Sequence, residues 1–261
     1  MLIDINAYVG HWPFKQLRYN SCKSLLERME QFGMQVSLIS NLHGIFYKNT
    51  QSANEELNDE INSNRDFANR FIPFGVINPI YAGWKEDLEI CFEKFGMKGI
   101  RLYPLYHDYE IDDPSHIELV KMARDRGMMI AYSLRMVDSR QRSWMDIQKE
   151  WELKDVLPIL REVPDAKYMI LNIANSMKLK EEELSLLKNA EVLMDISGRE
   201  ISNLGELLTL YGKEKFAFGT HTPILDYGTS LIRIESLRET EASEETKELI
   251  RSGNAAKILR I

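Results

Sequence analysis

Eight short apolar, β-rich runs recur along this chain at nearly even spacing, and that alternation constrains the fold more than any other feature. They are LIDINAYV from Leu2, QVSLISNL from Gln35, FIPFGVINP from Phe71, KGIRLYPL from Lys98, MMIAYSLR from Met128, KYMILNIA from Lys167, AEVLMDIS from Ala190 and FAFGTHTP from Phe216. Between them lie charged segments such as KSLLERMEQFG, WKEDLEICFEKFG and HIELVKMARDRG, apolar at i, i+3 and i+4 with a Gly at the stop, which predicts helices. Asp113-Pro114 reads as an N-cap followed by Pro in the first helical position, and Ser243 with Glu244 and Glu245 marks the start of the last helix. Eight such β/α units of about 33 residues fit a (β/α)8 TIM barrel, an α/β fold, as one domain over residues 1–261. An open doubly wound sheet is the alternative. It would need its own phosphate fingerprint, and the chain contains neither GxGxxG nor GxxxxGK[ST].

Composition narrows the partners. At 44% apolar and 28% charged, the 261 residues can bury a large core. A net charge of −7 argues against a nucleic-acid or anionic-membrane surface, which needs clustered cations. The first apolar run begins at residue 2, with no signal-peptide pattern ahead of it and no apolar stretch of membrane length, so a cytoplasmic location is expected. Cys22 and Cys91 lie in helix-like stretches without CxxC spacing, as free thiols in a reducing compartment would. A homo-oligomer remains compatible with all of this.

Barrel enzymes work at the C-terminal ends of their strands, and side-chain alternation selects which residues face the mouth. If Asn6 and Tyr8 face inward, the matching positions are Asn41, Asn78, Arg101 with Tyr103, Ser133 with Arg135, Asn172, Asp195 with Ser197, and His221. Every strand thus ends in a polar residue. Each buried polar group must be satisfied by a neighbour, by water or by a ligand, because an unmet one costs roughly 1 to 3 kcal/mol. Asp4 is expected to point inward too, deeper than Asn6, tying strand ends together.

The succession IDINAYVG, MKGIRLYP, GMMIAYS, PDAKYMILNIAN, MDISG, FAFGTHTP and the closing SGNAAKIL resembles the amidohydrolase-related (amidohydrolase 2) family of TIM-barrel hydrolases and decarboxylases, over nearly the whole chain. The resemblance implies a divalent metal held by His-x-His on the first strand, His on the fifth and sixth, and Asp on the eighth. Matched residue by residue, those places hold Asn6 and Tyr8, Ser133, Asn172 and His221. A catalytic zinc takes at least three imidazole, thiolate or carboxylate ligands, and amide, phenol and hydroxyl groups are poor substitutes. The chain is therefore expected to be a divergent member with no tightly held metal. The one alternative is a divalent ion such as zinc, relocated to His11, His43 and His107, which follow the first, second and fourth strands and could be brought over the mouth with His221.

What remains is a cationic mouth in an acidic protein: Arg101, Arg135 and Arg199 at or beyond three strand ends, with His221 completing the circle. Guanidinium groups suit a carboxylate or phosphate ligand, although a bridge to Asp195 or Asp138 would use them internally. Trp12, Phe14, Tyr8, Tyr103 and Tyr106 would wall a pocket for a small ring or sugar. The candidate catalytic groups are His221 and His11, which titrate near neutrality when unperturbed, and Asp195 as the inward carboxylate. Asn6, Tyr8, Trp12, Asn41, Asn78, Arg101, Tyr103, Ser133, Arg135, Asn172 and Arg199 would bind substrate. Two functions fit: a metal-independent hydrolase or C–C lyase on a small anionic or polar molecule, or a non-catalytic small-molecule binding or regulatory barrel.

Overall fold

The eight runs form eight parallel strands in a computed structural model of the chain, whose described residues are 1–173, 179–197, 201 and 203–261. They are β1 (Ile3–Val9), β2 (Val36–Asn41), β3 (Phe71–Val76), β4 (Gly99–Leu102), β5 (Met129–Ser133), β6 (Lys167–Leu171), β7 (Glu191–Asp195) and β8 (Phe216–Ala217). Each pairs with the next in sequence. The ring closes through a bridge between Ala7 and Thr222 and through Ile5 N to Phe218 O (3.0 Å), His221 N to Asn6 O (2.7 Å) and Tyr8 N to Thr222 O (2.8 Å). This is the (β/α)8 barrel expected from the alternation.

Helices connect the strands where the periodicity places them. Asp113 caps the Pro114–Asp125 helix by accepting from Ser115 N, and Ser243 caps Glu244–Glu248 by accepting from Thr246 N. Cys22 and Cys91 are free, buried thiols. Among the described residues no helix is long and apolar enough to cross a membrane.

The interior is divided by depth. Its lower half is apolar, packed from Ile3, Ile5, Leu38, Phe74, Met129, Ala131, Met169, Leu171, Leu193 and Ala217, with Ala255 and Ile258 of the C-terminal Asn254–Leu259 helix in the same cluster. Fully burying one such large side chain contributes about 1.5 to 3 kcal/mol, so this plug can hold a costlier polar layer above it. Gly99 leaves the room this plug needs, since a Cβ there would come within 2.5 Å of the Phe74 ring.

A bulge in β1 between Asp4 and Ala7 corrects two sequence-based expectations. Ile5 packs in the barrel interior and Asn6 joins its polar layer, so adjacent residues share one face and strict alternation fails there. Asp4 lies two residues before Asn6 but is not beside it on the inner face. It alternates with Ile3 and Ile5, and it accepts from Thr220 N (3.0 Å), Thr220 Oγ1 (2.5 Å) and Asn6 N (2.9 Å), joining β1 to the end of β8. On β2, Tyr8 pairs with Ser40 and Val9 with Asn41, which turns Ser40 inward and Asn41 outward.

Candidate functional site

Above the apolar plug, the ends of β1, β6, β7 and β8 converge on Asp195. This carboxylate is fully buried and accepts from Asn6 Nδ2 (2.6 Å) and Ser197 Oγ (2.6 Å) at one oxygen and from the Asn172 backbone N–H at the other. Asn172 Nδ2 donates to Ser197 Oγ (3.1 Å), closing a loop of side chains. Burial raises the Asp195 pKa above the usual carboxylate range, against the opposing pull of these donors and of Arg101. Gly219 of the strand-8 segment makes room for the carboxylate, because a Cβ there would lie 2.4 Å from Asp195 Oδ2.

His221 sits beside this network, with Nδ1 3.4 Å from Asn6 Nδ2 and Nε2 2.6 Å from the Met136 carbonyl oxygen. A carbonyl can only accept, so Nε2 carries the hydrogen and Nδ1 is bare. Burial lowers the pKa to about 3, with the Arg101 and Arg135 charges adding to it and the Met136 bond opposing it. The imidazole is therefore neutral at physiological pH, which corrects the expectation that it titrates near neutrality. Asn172 (φ 65°) and His221 (φ 61°) are both left-handed, an uncommon conformation for such residues that is held here by their hydrogen bonds. For Asn172 it has a directional effect. Alternation after the inward Leu171 would aim it at the helices, and the positive φ turns it back toward Ser197.

On the opposite side, Arg101 of β4 is fully buried, its guanidinium carbon 4.3 Å from the centre of the Tyr8 ring. Tyr8 Oη meets Ser133 Oγ at 3.1 Å and Met136 Sδ at 3.8 Å, and its ring meets His221 edge-on at 5.2 Å. Tyr103 is buried next to the same guanidinium.

An open cleft of about 420 Å³ lies over this layer, with Asn172 and His221 in its wall. Trp12 and Phe14 line it, as expected, while Tyr8, Tyr103 and Tyr106 do not. Lys15, Arg135, Arg140 and Arg233 also line it, against Asp138. Arg135 lies 3.5 Å from Asp138 and 3.8 Å from Glu150, and Arg140 lies 2.8 Å from Asp138, so part of this charge is internally paired. Those partners hold Asp138 at a pKa of about 2, Arg140 contributing most.

Several expected residues lie elsewhere. Asn41 bonds to Ala53 O (3.2 Å) and Glu56 (3.1 Å) and caps His43 N, because the β1 bulge put its strand out of the assumed register. Asn78 caps a turn through Ile80 N (3.2 Å) and does not line the cleft. His11 is exposed on the rim, stacked on His43 at 5.4 Å and apart from His221 and Asp195. Arg199 lies outside the described residues. Asp195 is not the sole carboxylate near the mouth, since Asp138 lines the cleft. Sequence reasoning missed Lys15, Arg140, Arg233 and the Met136 carbonyl. The first two and Met136 stand in loops without periodicity, and a backbone carbonyl leaves no mark in a sequence.

A family model for amidohydrolases matches residues 11–261. The chain belongs to the amidohydrolase family. Comparison with curated protein sequences finds no match. Among solved structures, this amidohydrolase barrel is similar to 2,6-dihydroxybenzoate decarboxylase from Rhizobium (TM-score 0.75, 12% identity, 99% of this chain and 98% of that one). It is similar to dihydroxybenzoic acid decarboxylase from Polaromonas, solved with manganese and 2-nitroresorcinol (0.76, 12%, 99% and 96%). It is also similar to 5-carboxyvanillate decarboxylase from Sphingomonas paucimobilis (0.69, 14%, 100% and 99%). At these identities the likeness concerns the fold.

The residues of this family member do not fit the divalent metal that the family implies. Asn6 turns its NH2 toward Asp195, and its Oδ1 faces the Arg101 guanidinium at 3.3 Å. Tyr8 lies under the same cation, and the His221 Nε2 position is taken by Met136. A buried guanidinium amid neutral amides, phenols and hydroxyls repels a second cation and offers it few good ligands. Nor do the loop histidines supply a replacement: His107 is buried against Gly44 O, and His43 is engaged by His11 and Glu56. Among the described residues, no three His, Cys, Asp or Glu are grouped to hold a metal.

Proposed function

We propose that this amidohydrolase is a hydrolase or C–C lyase acting on a small anionic organic substrate without its family's usual metal. The observation that carries this reading is the cationic cleft, with Lys15, Arg135, Arg140 and Arg233 in its lining, set directly over His221 and the buried Asp195 network. The cations would draw in and orient an anion, and Trp12 and Phe14 would cover its apolar part. Asp195, its pKa raised by burial, is the candidate proton carrier, and neutral His221 in the cleft wall would help to orient the substrate. Aromatic carboxylates are the first class to try, given the names of the structural neighbours. A cytoplasmic enzyme, free or self-associated, with no nucleic-acid or membrane partner, suits the buried free thiols and the net charge of −7.

A second reading, a non-catalytic binding barrel, is favoured by one feature: Asn6, Asp195, Ser197 and the Asn172 NH2 bond to one another, leaving only Asn172 Oδ1 among their side-chain atoms without a partner. The test is to incubate chelator-treated and manganese-supplemented protein with 2,6-dihydroxybenzoate and related carboxylates, following product, CO2 release and thermal stability. Turnover that survives the chelator is the expected result. Turnover only with added metal overturns the metal-independent part, and stabilisation without turnover favours the binding barrel.

A further inference from the structure

The barrel centre holds a cation whose best binding edge is unused. Arg101 Nη1 makes two long contacts, 3.3 Å to Asn6 Oδ1 and 3.4 Å to Ala7 O. Among the described residues, Nε and Nη2 make no hydrogen bond of good geometry, although the Tyr8 and Tyr103 phenols lie beside the guanidinium, and Arg101 forms no ion pair. The Tyr103 hydroxyl next to the guanidinium is likewise buried and makes no hydrogen bond of good geometry. The Nε and Nη2 hydrogens form one side of the guanidinium fork and point the same way, matching the two oxygens of one carboxylate. A buried cation left in this state is costly, and its position at the C-terminal end of a barrel strand is where ligands bind.

We propose that the Nε–Nη2 edge of Arg101, assisted by the Tyr103 hydroxyl, receives the carboxylate of the substrate, so that a fixed guanidinium selects carboxylates over neutral ligands at the barrel centre. This rests on the reading of the protein as an enzyme for small anions. Access runs past Tyr8, whose ring touches both the guanidinium and His221, and His221 lines the open cleft. Among the described residues the phenol hydroxyl contacts side chains, Ser133 (3.1 Å) and Met136 Sδ (3.8 Å), and the buried ring packs with Trp12, Tyr103 and Met136, so entry requires that ring to turn within its cluster.

The experiment uses the full chain, with sodium benzoate as probe, benzamide as its neutral counterpart and inorganic phosphate as competitor. Calorimetry and the NMR signals of arginine Nε–H groups are the readouts. Benzoate is expected to move one Nε–H signal downfield and to bind at least about tenfold more tightly than benzamide, one charge-assisted bond being sufficient for that ratio. Arg101→Lys keeps the charge but loses the fork, and should remove that signal and most of the preference for benzoate. Tyr103→Phe should weaken benzoate severalfold. Equal preference in wild type and Arg101→Lys overturns the proposal. So does a signal already downfield without ligand and unmoved by benzoate, which would mean that a tyrosine satisfies the edge, and so does phosphate binding more tightly than benzoate. If Arg101→Lys does not fold, the wild-type signal and Tyr103→Phe decide. Arg101-dependent benzoate capture in a protein that turns nothing over upholds this inference and ends the enzyme reading. Turnover of a carboxylate undiminished in Arg101→Lys does the reverse.

Discussion

The two sides of the barrel mouth treat their buried polar groups in opposite ways. On the β6, β7, β8 and β1 side, Asp195 accepts from three donors and its partners bond to one another, Asn172 Oδ1 being the one atom of the network without a partner. On the β4 side, Arg101 and Tyr103 are as deeply buried but leave donors unmet among the described residues. A closed network fixes geometry and adds stability by itself, whereas an open one gains from a ligand. The contrast therefore separates the frame of the site from the part suited to recognition.

Breaking the closed side should cost most. Asp195→Ala leaves Asn6 Nδ2, Ser197 Oγ and the Asn172 N–H without their acceptor, and should lower unfolding stability by about 3 to 5 kcal/mol in urea titrations. A loss below about 1 kcal/mol would mean that the network is not structural.

The closed side also carries opposite pH dependences. The His221 pKa falls from 6.5 to about 3 on folding, so the unfolded chain binds more protons between those values and the histidine's contribution is lost as pH drops below 6.5. The Asp4 pKa rises from 3.8 to about 7, chiefly through burial, so its contribution is full below pH 3.8 and is lost as pH rises through about 7. His221→Gln should therefore flatten the acid limb of the stability curve, and Asp4→Asn should remove a decline between about pH 4 and 7. Denaturant midpoints across pH 3 to 8 check both signs, and parallel curves for wild type and either variant would contradict them.

The smallest effect is expected on the open side. Arg101→Met is close in volume and removes a poorly satisfied charge, so ligand-free stability should change by less than about 1 kcal/mol in either direction. A loss like that of Asp195→Ala would erase the contrast and assign Arg101 to the frame.

The sequence by itself determined the barrel and the ends of its strands. Apolar runs of strand length separated by amphipathic helices leave few other ways to bury both patterns. It also determined that Asn6, Arg101, Asp195 and His221 would meet, since residues at the same end of neighbouring strands converge in a closed barrel. Only the tertiary structure decided the rest. One bulge in β1 exchanged Asn41 for Ser40, because an extra residue reverses every later side chain on that strand relative to its neighbour. A left-handed φ returned Asn172 to the site despite alternation. Loop conformation sent His11 to the rim and brought Lys15 and Arg140 to the cleft. Whether His221 is charged, and whether Arg101 is paired, depends on burial and on partners up to 215 residues away, and no local pattern encodes a dielectric environment assembled from eight strands.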